Sequence, residues 1–79
     1  MKKIEFEALA KAGALNSVTI YETTLGKYEL WAYPDGIYSG SNIFKTALGE
    51  TRIWSSLDVL VKFIRSMGYL QMITFDVKS

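Results

Sequence analysis

Three rings, Tyr21, Trp31 and Tyr33, and three cations, Arg52, Lys62 and Arg65, are the side chains of this chain best suited to a binding role. The means for covalent chemistry are sparse beside them. The 79 residues include no histidine, so the commonest general base near neutral pH is missing. They include no cysteine either, which excludes a thiolate nucleophile, a disulfide and a thiolate zinc site. Metal ligation would fall to eight scattered carboxylates, and no group of them has calcium-loop spacing. Glu5 and Glu7 are close in sequence, but a helix points them apart. "TLG" at 24–26 and "SGS" at 39–41 are too short to cradle a phosphate, and there is no Walker or dinucleotide fingerprint. A serine–lysine hydrolase needs a pocket and a supporting shell for which so small a domain has little room. The expectation is a binding protein rather than an enzyme, with no catalytic residue, no cofactor and no metal.

The cations admit two readings. Asp58, Lys62 and Arg65 form the polar row of an amphipathic segment, and such rows are commonly solvated faces with a weak Asp58–Lys62 pair four residues apart. Alternatively Arg52, Lys62 and Arg65 join into a small patch facing phosphate or acidic groups. Three cations would support weak, salt-sensitive contact with nucleic acid but not tight binding. Nine basic and eight acidic residues leave a net charge of +1, which suits neither a DNA-coating protein nor an acidic DNA mimic.

The rings also admit two readings. Alternation places Tyr21, Trp31 and Tyr33 on one side of a hairpin and Val18, Ile20 and Leu30 on the other. Either a helix, a bent strand or a subunit mate covers them, or they form an exposed aromatic platform, the usual mark of an interaction site. With Thr19, Glu22 and Glu29 as neighbours, glutamates that repel phosphate, the expected partner is a protein or a second copy of the chain. Trp54, just before a helix cap, reads as core.

These side chains need a scaffold, and the length allows one domain, residues 1–79. A domain of this size buries only about 60% of its unfolded surface. An apolar fraction of 49% and an aromatic fraction of 14% argue against disorder. The start, "MKKIEFEALAKAG", has neither the apolar run of a signal peptide nor that of a membrane span, so the expected location is the cytoplasm, with no membrane contact.

Residues 3–12 favour a helix, with Ile4, Ala8 and Ala12 on one row, Leu9 beside it and Gly13 as the stop. In "SVTIYETTLGKYELWAY" a three-residue loop of Thr24, Leu25 and Gly26 pairs Thr23 with Lys27, Ile20 with Leu30 and Val18 with Ala32. A two-residue loop would instead set Glu22 against Glu29, a repulsive pair. The three-residue form wants a left-handed residue at its end, which Gly26 supplies. "PDG" at 34–36 is a turn signal and "SGSN" at 39–42 a second break. A third strand is expected over Asn42–Leu48, with Ile37 and Tyr38 able to extend it across a bulge. A second helix starts at a Ser55 cap with Asp58 completing a capping box. Leu57, Leu60, Val61, Ile64 and Met67 form its apolar face, widened by Val59 and Phe63, and Gly68 ends it. "LQMITFDV" closes the chain as a strand. The expected fold is α+β, in the order α-β-β-β-α-β, an antiparallel sheet with both helices on one face.

The order of these motifs resembles that of the small partition-associated proteins of plasmids and integrative elements, the ParC type. The similarity lies in Leu9, Ala10, Gly13, Ala14, Ser17 and Val18, then Arg52, Trp54, Ser56, Leu57, Asp58, Phe63, Ile64, Arg65, Met67 and Gly68, and the closing "MITFDV". "YPDGIYSGSNIF" departs from that pattern. The resemblance implies a non-catalytic accessory role in partition or maintenance of a mobile element, and it transfers no binding residue. Small size and an aromatic face equally suit an inhibitor of a host defence complex, of the anti-CRISPR kind. A nucleic-acid module similar to a double-stranded RNA-binding domain is a third reading. Ser55, Ser56 and Asp58 stand against it, where that family places a lysine cluster.

Overall fold

A computed structural model describes residues 1–34 and 42–77. Five elements follow in the order α1 (Lys3–Lys11), β1 (Leu15–Thr24), β2 (Lys27–Pro34), α2 (Leu57–Ser66) and β3 (Ile73–Val77). The class is α+β, as the periodicity implies. The PDG turn beyond Pro34, the break at 39–41 and the extension through Ile37 and Tyr38 lie outside the described residues.

β1 and β2 form the antiparallel hairpin in the expected register, with Val18 opposite Ala32, Ile20 opposite Leu30, Tyr21 opposite Glu29 and Glu22 opposite Tyr28. The register then shifts at Thr23, so that Thr24 faces Lys27 and the turn is the two residues Leu25 and Gly26 rather than the expected three. The irregularity at Thr23 takes up the extra residue and keeps Glu22 away from Glu29. Gly26 takes φ of 78° and donates its N–H to the Glu22 carboxyl at 2.9 Å. A side-chain acceptor therefore closes the left-handed turn.

The sheet differs from expectation in two ways. Its order is β2-β1-β3, and β3 runs parallel to β1, with Val18 beside Ile73 and Tyr21 beside Asp76. α2 supplies the crossover that a parallel neighbour requires. β3 also starts later than Leu70. The carbonyls of Tyr69 and Gln71 accept from the Arg65 guanidinium at 3.1 and 2.6 Å, and that of Met72 from the Tyr69 hydroxyl at 3.0 Å. Side chains thus take the acceptors that a longer ladder would use.

The strand expected over Asn42–Leu48 is reduced to isolated bridges. Ile43 pairs with Trp31 and Trp54 with Tyr28, so the segment covers the outer edge of β2 at two points. Between them the chain turns on itself. Thr46 donates its N–H to the Glu50 carbonyl at 2.7 Å, the Thr46 hydroxyl accepts from Glu50 N–H at 3.3 Å, and Gly49 has φ of 88°. Threonine chemistry and a left-handed glycine break the ladder where composition suggested it would run.

Both helices pack on the Val18, Ile20, Leu30 and Ala32 side of the sheet. Phe6 and Ala10 of α1 and Leu60 and Ile64 of α2 share one core with that row. The buried row of α1 is therefore Phe6–Ala10; Ile4 is 84% exposed, and Ala8 and Ala12 face solvent too. A large ring displaces the smaller Ile4–Ala8–Ala12 row because it removes more apolar surface from water. Phe6, Phe44, Trp54 and Phe63 interlock, Phe44 lying 5.7, 5.6 and 5.5 Å from the other three rings. Trp54 is core, as expected. In α2 the cap is Ser56, whose hydroxyl accepts from Val59 N–H at 3.3 Å, one residue later than the Ser55 cap. Ser55 instead accepts from Lys27 at 3.0 Å. The later start places Asp58 within the first turn, where its charge opposes the positive end of the helix dipole. Leu60, Ile64 and Met67 are buried, Val61 and Phe63 half-buried, and Leu57 and Val59 exposed.

Candidate functional site

The outer face of the sheet brings together the three rings that alternation had placed there. Thr19 stands opposite Trp31, and Ser17 opposite Tyr33, across the hairpin. The Tyr21 and Trp31 rings meet edge to face at 6.0 Å, and Trp31 stacks on Tyr33 at 6.5 Å with 21° between their planes. All three are half-buried. Tyr33 is held above the ordinary phenol range, first by burial, then by the neighbouring Tyr21 phenol and the hydrogen bond the two share. Strand pairing, ring contact and a tyrosine–tyrosine hydrogen bond therefore fix the orientation of each ring before any partner arrives. Pre-ordered aromatic side chains lose little further freedom on binding.

Glu29 gives this face its polar centre. It is only 5% exposed, and the Trp31 indole donates to its carboxyl at 2.9 Å. A glutamate on an outer strand face reads as solvated in the sequence, and only the ring contacts around it reveal its burial. Glu22 does not belong to this face. Its carboxyl turns back to Gly26 in the hairpin loop, because alternation places it on the opposite side from Tyr21. Asp76 of β3, paired with Tyr21, is the acidic neighbour instead. With both helices on the other side, no helix of the described residues lies over Tyr21, Trp31 and Tyr33.

The three cations go separate ways. Lys62 pairs with Asp58 at 3.1 Å on the exposed side of α2, the solvated arrangement that i, i+4 spacing allows. Arg65 is a structural clamp on the carbonyls of Tyr69 and Gln71. Arg52 lies with its guanidinium 4.8 Å from the centre of the Trp54 ring. Its neighbours across the adjoining cleft are Lys2, Lys3 and Lys45, while neither Lys62 nor Arg65 lines that cleft. Arg52, Lys62 and Arg65 therefore share neither a contact nor a cleft among the described residues. They belong to a different cationic group, a salt bridge and a loop clamp, in that order.

No helix of the described residues is long and apolar enough to cross a membrane. Comparison with family models, curated proteins and solved structures gives no match for this chain.

Proposed function

We propose that this chain is a non-catalytic protein-binding adaptor working in the cytoplasm, with the Tyr21–Trp31–Tyr33 face as its contact surface. The observation behind this reading is the continuous aromatic ladder on the side of the sheet away from both helices. Aromatic side chains held in one orientation are the usual anchors of protein interfaces, and a carboxyl at the centre disfavours a phosphate backbone as the occupant. The ParC-type resemblance supports a partner among the proteins that partition or maintain a mobile element. A component of a host defence complex is the alternative partner.

Self-association is a second reading, favoured by the edge strand β3. Among the described residues it is paired on one side only, and its Phe75 and Val77 are exposed.

Both readings are tested by comparing wild type with Trp31→Ala and Tyr33→Ala. Sedimentation velocity measures self-association, and affinity capture with purified partition proteins measures the heterologous partner. Truncating an anchor ring should weaken association by at least roughly thirtyfold, the scale of about 2 kcal/mol for an interface hot spot. Unchanged association by two folded variants would overturn the assignment of this face.

A further inference from the structure

Two pairs of cations from distant parts of the sequence meet at one corner on the helix side of the sheet. Lys2, Lys3, Lys45 and Arg52 line a cleft of about 470 Å³. Backbone pairing brings them together. The Met1 ammonium donates to the Ile43 carbonyl at 2.8 Å, the Lys45 N–H to the Met1 carbonyl at 2.7 Å, and the Arg52 N–H to the Phe44 carbonyl at 3.1 Å. The first turn of α1 is thereby fastened to the 43–47 segment, and that segment to Arg52.

Among the described residues no carboxylate lines this cleft. The ion pairs seen among the described residues, Lys11–Glu7 and Lys62–Asp58, lie elsewhere. Lys2 donates to the Ala47 carbonyl at 3.1 Å and Arg52 lies over Trp54, and neither contact is with a carboxylate of the described residues. Like charges gathered at one site repel, and an anion seated among them removes that repulsion. The remaining wall is mostly apolar, made by Ile4, Ala47 and the half-buried Phe63 ring with Phe44 behind them, with Thr46 as its one uncharged polar member among the described residues. The volume falls within the roughly 300–1,000 Å³ typical of small-molecule sites, and a nucleic-acid duplex is too wide to enter. The required ligand has several negative charges at one end and a flat apolar group at the other.

We infer that this cleft binds a nucleotide, with its phosphates among Lys2, Lys3, Lys45 and Arg52 and its base against Ile4 and Phe63. The same phosphate-and-base chemistry is offered by a free nucleotide and by the end of a single strand. The inference stands apart from the protein-binding reading, since it uses no residue of the aromatic face.

The test is calorimetric titration of the full chain at low salt with ATP, inorganic triphosphate, adenosine and a short single-stranded oligonucleotide. ATP should bind saturably. Inorganic triphosphate, which lacks the base, should bind roughly tenfold more weakly, the scale of one base–aromatic contact. Lys3→Glu and Lys45→Glu should each weaken ATP binding by about tenfold through loss of a charge-assisted contact. Lys3 is exposed on the first helical turn, so its variant should fold even if the Lys45 variant does not. Lys62→Glu makes the same charge change outside the cleft, and Trp31→Ala alters the aromatic face; both should leave ATP binding unchanged. Tighter binding of ATP supports the inference with a free nucleotide as the source. Tighter binding of the oligonucleotide, lost in Lys3→Glu, supports it with a strand end as the source. The inference is overturned by absence of saturable ATP binding, by equal binding of triphosphate and ATP, or by equal losses in Lys62→Glu and Lys3→Glu.

Discussion

Phe44→Ala removes the ring around which the helix-side core is assembled. Phe44 is 2% exposed and lies within 5.7 Å of the Phe6, Trp54 and Phe63 rings. Each such aromatic pair contributes about 0.5–1.5 kcal/mol beyond its buried area. Truncation of an enclosed Phe to Ala costs about 3–5 kcal/mol in total. A domain of this length has about 4–12 kcal/mol of stability, so the change removes between a quarter and all of it. Among the described residues the segment that carries Phe44 forms no continuous ladder and is held by isolated bridges and single hydrogen bonds to Met1, Leu30 and Arg52, which offset only part of the loss. Urea unfolding followed by tryptophan fluorescence is the assay, with Leu48→Ala as its companion. Leu48 is in the same segment but 90% exposed, and its truncation should shift stability by no more than about 0.5 kcal/mol. The thermal midpoint should fall by about 4–8 °C for each kcal/mol lost in the Phe44 variant. A cost below about 1.5 kcal/mol, or one no larger than that of Leu48→Ala, would refute the argument that the interlocked rings anchor this segment.

Two further outcomes follow from local geometry. Ser56→Ala should cost about 1 kcal/mol of stability through loss of the α2 cap, and Ser55→Ala only a few tenths, as read from paired urea denaturation curves; the reverse order would restore Ser55 as the cap. Alkaline pH should destabilise the fold, because burial raises the phenols of both Tyr33 and Tyr69 above their ordinary value of 10.0. At Tyr69 burial outweighs the Arg65 charge, which acts to lower it. The folded state holds these protons more tightly than the unfolded state, so their contribution is complete below the unfolded value and is lost as pH rises through the folded values. Stability measured from pH 8 to 11 should stay level and then fall above about pH 10, as the absorbance of ionised tyrosine appears. Flat stability through that rise would contradict the burial of these hydroxyls.

Local pattern was enough for the hairpin and the second helix, though not for the Ser56 cap or the register shift at Thr24. Strand alternation and the cross-strand charge argument yield the hairpin register through Glu22, and with it the shared face of Tyr21, Trp31 and Tyr33. Helical spacing yields α2 and its Leu60–Ile64–Met67 contact row, with Asp58 and Lys62 paired on the outside. The α+β class follows from the same signals, because each element must hide one apolar side.

What needed the folded chain is whatever depends on contacts between distant residues, or on local side-chain bonds that compete with a regular element. No periodicity distinguishes the Phe6–Ala10 row of α1 from the Ile4–Ala8–Ala12 row until Phe44 and Phe63 supply rings for Phe6 to meet. The turn within 46–50 and the Arg65 clamp on Tyr69 and Gln71 decide where strands stop, through side-chain hydrogen bonds that compete with the ladder. Glu29 becomes buried only when Trp31 and Tyr21 are placed around it. The cluster of Lys2, Lys3, Lys45 and Arg52 is invisible along the chain for the same reason. Its two pairs of charges, Lys2 with Lys3 and Lys45 with Arg52, stand more than forty residues apart, and the bonds of Met1 and Lys2 to the 43–47 segment draw them into one cleft.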